Sequence, residues 1–267
     1  MTTVDPTIAH AGADRGTSGR ADRGALATLL RTEARLLART PAVVIWVVAV
    51  PLIALVVMAA MPGARRPLEP FGGLSVLEAY QPTLVVFATT MLALQVLPML
   101  VGQYRELGYL RRLRATPAHP WQLLAAMLTL ILLLSLSVGV VMAVIPLVVG
   151  VGDVARLVLF VVALVPVCLS FLSVGALLAA VIANPRAASG VGAALAAVMW
   201  FFAGMWFPRA QFPDWLARLA DWTPGGAAAT LLTGAAHGTP VGWQPLVCLA
   251  AWAVACALIA VRTFRWE

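Results

Sequence analysis

Apolar residues fill this chain in long blocks, and polar residues gather in short breaks between them. Stretches without Asp, Glu, Lys or Arg run 40–64, 79–104, 115–152, 157–185, 187–208 and 222–261. A helix needs about 20 apolar residues to cross a bilayer, so each shorter stretch allows one span. The stretch 115–152 opens with polar, Pro-containing Ala115 to Pro120, and 222–261 is interrupted by Thr223-Pro-Gly-Gly226 and His237-Gly-Thr-Pro240. Each of these also yields one full span. The pattern predicts six, at 42–61, 82–103, 121–149, 157–182, 187–207 and 243–261. The expected fold class is an all-α integral membrane protein.

Two segments precede the spans. Residues 1–23 are small, polar and without period, which predicts a disordered tail. From Gly24 to Thr40 a helical period returns. Leu26, Leu29, Leu30, Leu36 and Leu37 share one face, and Thr28, Arg31, Thr32, Arg35 and Arg39 the other. This predicts an interfacial amphipathic entry helix over 24–40, ended by Pro41, or else an extension of the first span. Glu33 falls in the leucine face. An unpaired carboxylate there would cost on the order of several kcal/mol. It either snorkels to water and headgroups or meets a basic partner, for which Arg105 and Arg111 are the candidates.

Composition agrees with the pattern. Hydrophobic residues make up 62% of the 267 residues and charged ones 11%, where a soluble domain carries about 25%. The net charge of +7 comes from 18 arginines, with no lysine at all. In a soluble chain that surplus would suggest nucleic acid; here the arginines sit between apolar blocks and report topology. Thirteen fall on the side shared by both termini and five on the other, among them Arg65, Arg66 and Arg156. Both termini are therefore expected in the cytoplasm. The missing lysine also matters for chemistry. A phosphate-binding loop of the Walker type needs one, so no standard nucleotide-hydrolysing site is expected.

The spans carry no acid or arginine near mid-membrane, which weighs against an ion-coupled carrier or a charge-lined channel. Ser135, Ser137, Ser170 and Ser173 lack a His or Asp partner at their level and are expected to bond their own helix backbones. Pro51, Pro98, Pro146 and Pro166 should kink their helices. Cys168, Cys248 and Cys256 lie in apolar runs, and His10, His119 and His237 are isolated, so no metal site is expected.

Two loops hold the remaining information. The first, Gln103-Tyr-Arg-Glu-Leu-Gly-Tyr-Leu-Arg-Arg-Leu-Arg-Ala-Thr-Pro-Ala-His-Pro120, spaces Leu107, Leu110 and Leu113 as a short helix. Arg111, Arg112 and Arg114 lie beside them, and Pro117 stops the helix. Anionic lipid or a docking protein would each suit it. In the second, Pro213 and Asp214 start a helix through Asp221, and Trp206, Trp215 and Trp222 are placed as interfacial anchors. Residues 223–236 are apolar and small, suiting a re-entrant helix.

The run YRELGYLRRLRATPAHPWQLL resembles the cytoplasmic loop of type-2 ABC exporter permeases. The run FFAGMWFPRAQFPDWLARLADWTPGGAAATLL is similar to that family's outer loop, with a small-residue turn, a P-x-W-L helix and an aromatic-x-Pro before a re-entrant segment. The resemblance covers roughly 24–267 and is nearest to the drug-export permeases of the daunorubicin-resistance type. It implies one half of a transmembrane dimer, docked on a separate ATPase subunit that carries the ATP and Mg. The coupling contact would comprise Glu33, Arg105, Glu106, Leu107, Leu110, Arg111, Arg112 and Arg114. The substrate path would run between two halves, lined in spans two and five by Phe87, Gln95, Trp200, Phe201 and Phe202. So few aromatics lean toward an amphipathic drug, antibiotic or lipid-like substrate over a polysaccharide. The expected partners are the ATPase, a second permease half and membrane lipid, with no nucleic acid and no cofactor on this chain. Competing readings are a structural or regulatory membrane protein whose basic loop binds lipid, and a membrane-embedded enzyme, for which no polar constellation is found.

Overall fold

The computed structural model of the protein describes residues 41–69, 73–107 and 120–264. The entry helix with Glu33, and loop residues Leu110, Arg111, Arg112 and Arg114, lie outside these. Nine α-helices make up the described chain, with one isolated bridge between Pro67 and Ser75 and no strand. They are α1 (Pro41–Ala60), α2 (Val76–Met91), α3 (Leu97–Glu106), α4 (Pro120–Val148), α5 (Val154–Val181), α6 (Pro185–Ala203), α7 (Asp214–Asp221), α8 (Pro224–His237) and α9 (Gln244–Thr263). A π-helical turn, Leu92–Val96, joins α2 and α3 into one span of 31 residues. That span, α5, α6, α9 and Gln122–Val148 of α4 are long and apolar enough to cross a bilayer. The sixth apolar helix is α1, 20 residues long. The chain is an all-α membrane protein, as the hydropathy pattern predicts.

Helix ends follow local chemistry. Ser75 opens α2 with a capping box: its Oγ accepts from the Glu78 N–H, and its own N–H donates to Glu78 Oε2 at 2.9 Å. The second span therefore begins at Val76, six residues before the expected 82. It also runs to Glu106, so Tyr104, Arg105 and Glu106 belong to the helix and not to the loop. The fifth span is shorter than expected. It stops at Ala203 because Gly204 turns left-handed at φ +87°, which few residues with a Cβ tolerate.

The α2–α3 span is the spine of the bundle: 72% of its apolar window is buried, against 28% for α6 and for α9. It packs on α1, α4, α5, α6 and α8. At 14 residues α8 is too short to cross; its C-terminal residue His237 lies where α2 and α5 begin, while Gly225 in its first turn packs on Met199 inside α6. It is buried along Pro224–Ala229, Leu231, Leu232 and Gly234, in the segment where a re-entrant helix is expected. Helix α7 lies beside it. Exposed Trp206, Trp215 and Trp243 mark the end where α2 and α5 begin, which we call the belted end; Trp222, also exposed, lies lower, its carbonyl accepting from the Trp252 indole N–H at 3.3 Å. The opposite end carries Glu106, Leu107 and the α5–α6 turn.

The serines split. Ser137 and Ser173 donate to the carbonyls of Leu133 and Leu169, as expected. Ser135 and Ser170 do not: both hydroxyls are fully buried without a hydrogen-bond partner. They face other helices, where i−4 bonding is not their only geometry.

Candidate functional site

Pro98 shapes the middle of the spine. It has no N–H to donate, and its ring would clash with the carbonyl of Leu94, four residues back. The helix widens instead, and the Leu97 N–H donates to Leu92 O, five residues back. The freed carbonyls of Ala93 and Leu94 project toward two glycines on neighbouring helices, Gly175 of α5 and Gly192 of α6. A Cβ at Gly175 would overlap the Ala93 oxygen, and one at Gly192 the Leu94 oxygen. Three helices are thus locked at the level of one widened turn. Such turns recur at functional sites.

Through the middle of this spine one row reaches the surface. Between Pro82 and Pro98 every residue is buried except Phe87, Met91 and Gln95, which are half-buried at intervals of four. Phe87 packs on Trp200 of α6 with centroids 4.5 Å apart and the rings tilted by 37°. The Trp200 indole N–H donates to Thr90 Oγ1 at 2.7 Å, which fixes the ring against α2. The Gln95 amide reaches back to the Met91 sulfur. Phe87, Gln95 and Trp200 therefore share one wall. Phe201 and Phe202 do not join it directly. They form an aromatic cluster with each other at 5.4 Å, and Phe201 also stacks on Phe212 at 5.9 Å and meets Trp206. Met91 was not anticipated; a one-in-four spacing from Phe87 and Gln95 is the signal that points to it.

At the opposite end, Glu106 and Leu107 are exposed. Arg105 is half-buried and turned inward. It donates to Ala179 O at 2.7 Å, a carbonyl in the last turn of α5, and its guanidinium lies 4.7 Å from the centroid of Phe264, just past α9. The start of the loop is thereby tied to the ends of two spans. Leu107, expected to begin a loop helix, instead closes α3 as its C-terminal cap.

The belted end is held by polar contacts. Arg209 donates to Gly226 O, Thr230 Oγ1 and Asp221 Oδ1, each at 2.5 Å. His237, read from sequence as isolated in a loop, ends α8 with Nδ1 4.0 Å from Glu78 Oε1. Burial pulls its imidazole below the ordinary 6.5; Glu78 opposes this, and Arg156 adds to it. No group of three or more His, Cys, Asp or Glu that could hold a metal occurs among the described residues.

Residues 24–236 match the model of the ABC-2 type transporter family. The chain belongs to that family. It is the membrane permease of an ABC transporter, a family of transport subunits and not of catalytic domains, whose members work with an ABC ATPase. No curated protein is significantly similar to the chain.

Proposed function

We propose that this permease exports an amphipathic drug-like, antibiotic or lipid-like substrate, driven by ATP hydrolysis on a separate ATPase. Two permease halves face each other across the row Phe87–Met91–Gln95 with Trp200 beside it. The observation that carries this reading is that row: between Pro82 and Pro98 it is the one strip left open, and it joins aromatic and thioether surface to a single amide. Such a strip suits a mostly apolar solute with one or two polar groups. Both termini lie in the cytoplasm, in keeping with the arginine distribution. The belted end is then external, and Glu106 with the loop to Pro120 meets the ATPase, together with Glu33 of the entry helix.

The test is co-expression with a candidate ATPase, followed by co-purification and transport in vesicles across a compound panel. Trp200→Ala and Gln95→Leu should change which compounds are moved while the ATPase still co-purifies. Glu106→Ala should keep the assembly but lower transport per ATP hydrolysed. If neither wall substitution alters substrate choice, the row is not the path.

A further inference from the structure

Two cavities lie back to back at the belted end, and their chemistry differs. One, of about 490 Å³, is enclosed by the start of α2, the end of α6, α8 and residues 239–242. Its walls carry Tyr80, Thr83, Thr230, Thr233 and Thr239, with Arg209 and Asp221. The other, of about 670 Å³, is an apolar groove on the flank of the bundle between α5, α8 and α9. Its walls include Leu159, Val162, Pro166, Leu231 and Leu246. The two share Gly234, Thr239, Pro240 and Val241. The partition is thin. Residues 239–242 form a strap laid across α8, with Val241 seated where a side chain at Gly234 would stand and the Thr239 N–H donating to Gly234 O at 3.0 Å.

Height along the bundle separates their roles. The polar cavity reaches the level of Trp243, since Leu74, just before α2, and Gly242, just before Trp243, line it. Tryptophan belts sit at headgroup level. The groove runs from there down α5 as far as Pro166, and Leu159, Val162 and Leu246 are exposed on its lips. That is acyl-chain depth, open sideways to the bilayer.

The polar cavity offers hydrogen-bond donors and acceptors without net charge. A threonine hydroxyl has one hydrogen to give. Thr83 gives its hydrogen to Ala203 O at 3.3 Å, and Thr230 to Gly226 O at 3.0 Å. The Thr83 oxygen is left as an acceptor, and the Thr230 oxygen keeps one lone pair beside its bond from Arg209. The hydroxyls of Thr233 and Thr239 line the same cavity as donors. Arg209 spends three N–H groups on Gly226, Thr230 and Asp221, and Asp221 offsets its charge. An anionic phosphate head would gain no net charge attraction and would meet the Asp221 carboxylate. An uncharged head rich in hydroxyl groups can both donate and accept.

We infer that the two cavities form one bipartite site for a glycolipid-like amphiphile, its chain in the groove and its uncharged polyhydroxyl head in the polar cavity across the 239–242 strap. This site lies within a single permease half. It is separate from the Phe87–Trp200 wall and does not depend on what that wall transports.

The test uses the full chain in nanodiscs holding equal amounts of monoglucosyl-diacylglycerol and phosphatidylglycerol, followed by native mass spectrometry of the retained lipid. Glucosyl lipid should be retained about ten-fold over phosphatidylglycerol, the effect of a few net hydrogen bonds. Val162→Trp fills the groove from an exposed position and should remove retention of glucosyl lipid. Thr233→Val and Thr239→Val keep the shape but remove hydroxyls, and should cut the preference while leaving the protein folded. Equal retention of both lipids, preference for phosphatidylglycerol, or retention unmoved by Val162→Trp would each overturn the site. No ATPase is needed, so the result stands apart from the transport assay.

Discussion

The two ends of this bundle are built by opposite rules. At the belted end, short helices and their caps close the structure: Thr223 caps α8, Ser75 caps α2, and Arg209 clamps Asp221 to the α8 backbone. Each contact joins residues of one local segment or two adjacent helices, and the result is a lid that holds its shape. At the opposite end, α3 emerges with Glu106 and Leu107 exposed, and Arg105 ties it to α5 and to Phe264 beyond α9. Between the two ends sits the π-helical turn, where α2 and α3 join against α5 and α6. In the proposed mechanism one end receives work from an ATPase and the other controls passage, so the stiffness of the spine between them would decide how much motion is transmitted.

The strongest way to break the comparison is to jam the turn itself. Gly192→Leu would drive a side chain into the Leu94 carbonyl, and backbone cannot yield as a flexible side chain does. The expected cost is about 3 kcal/mol or more, the upper range for overpacking a tight interior. Loss of the folded peak in size-exclusion chromatography, or a large drop in melting temperature, would register it. A variant as stable as the parent would mean that α6 does not sit against the turn.

Next in size is Pro98→Ala. Alanine is favoured over proline by about 3 kcal/mol inside a helix, and it restores the missing N–H. The π-helical turn should then tighten to α-helix. That removes one residue of register and rotates the segment after it by about 100° relative to the segment before. Arg105 would lose its place over Ala179 and Phe264. The propensity gain is offset by the buried packing of Leu97, Val101 and Gly102 that the rotation disturbs, so the melting temperature should change little while vesicle transport falls at least about ten-fold. Transport at the parental rate would remove the turn from the mechanism.

The sequence makes some of this plain and hides the rest. The six apolar helices are legible because burial in a bilayer imposes a length and an apolar composition on each segment alone. So are α7 and α8, whose starts at Pro213-Asp214 and Thr223-Pro224 use residues suited to helix N-termini. The π-helical turn is hidden, although Pro98 in mid-span, and Gly175 and Gly192 elsewhere, are its three parts. Nothing local says that residue 94 faces residue 192. The same holds for His237 and Glu78, which come together only when α8 folds back across the bundle. Within the wall, family likeness points to Phe87, Gln95 and Trp200, while Met91 follows only from its helical register.

A smaller effect is expected at the lid. Asp221→Asn leaves Arg209 partly buried without its counter-charge, although Gly226 and Thr230 still accept from it. The pair is roughly a quarter to a third exposed, so the cost should be about 1 kcal/mol, between the surface and buried cases. Because the clamp holds α8, hydrogen exchange should rise across α7 and the first turns of α8 and stay unchanged at Arg105. Exchange rising equally at both ends would erase the contrast between them.

The smallest effect sharpens the comparison through pH. The groups around His237 are Glu78 on α2 and Arg156 on α5, the latter paired with Asp153 at 3.0 Å. Burial lowers the His237 pKa in the fold, and Arg156 acts in the same direction. The unfolded chain therefore binds a proton at His237 more readily than the folded protein does, and stability rises with pH across that window. The contribution is complete above the ordinary imidazole value of 6.5 and is lost as pH falls from there through the folded value. Melting temperatures at pH 5.5 and 7.5 should differ more for the parent than for His237→Gln, which keeps a donor toward Glu78 but has no proton to gain. The carboxylates titrate in both proteins, so the difference between the two slopes isolates the imidazole. Equal slopes would mean that His237 is solvated in the protein, and that α8 does not close against Glu78.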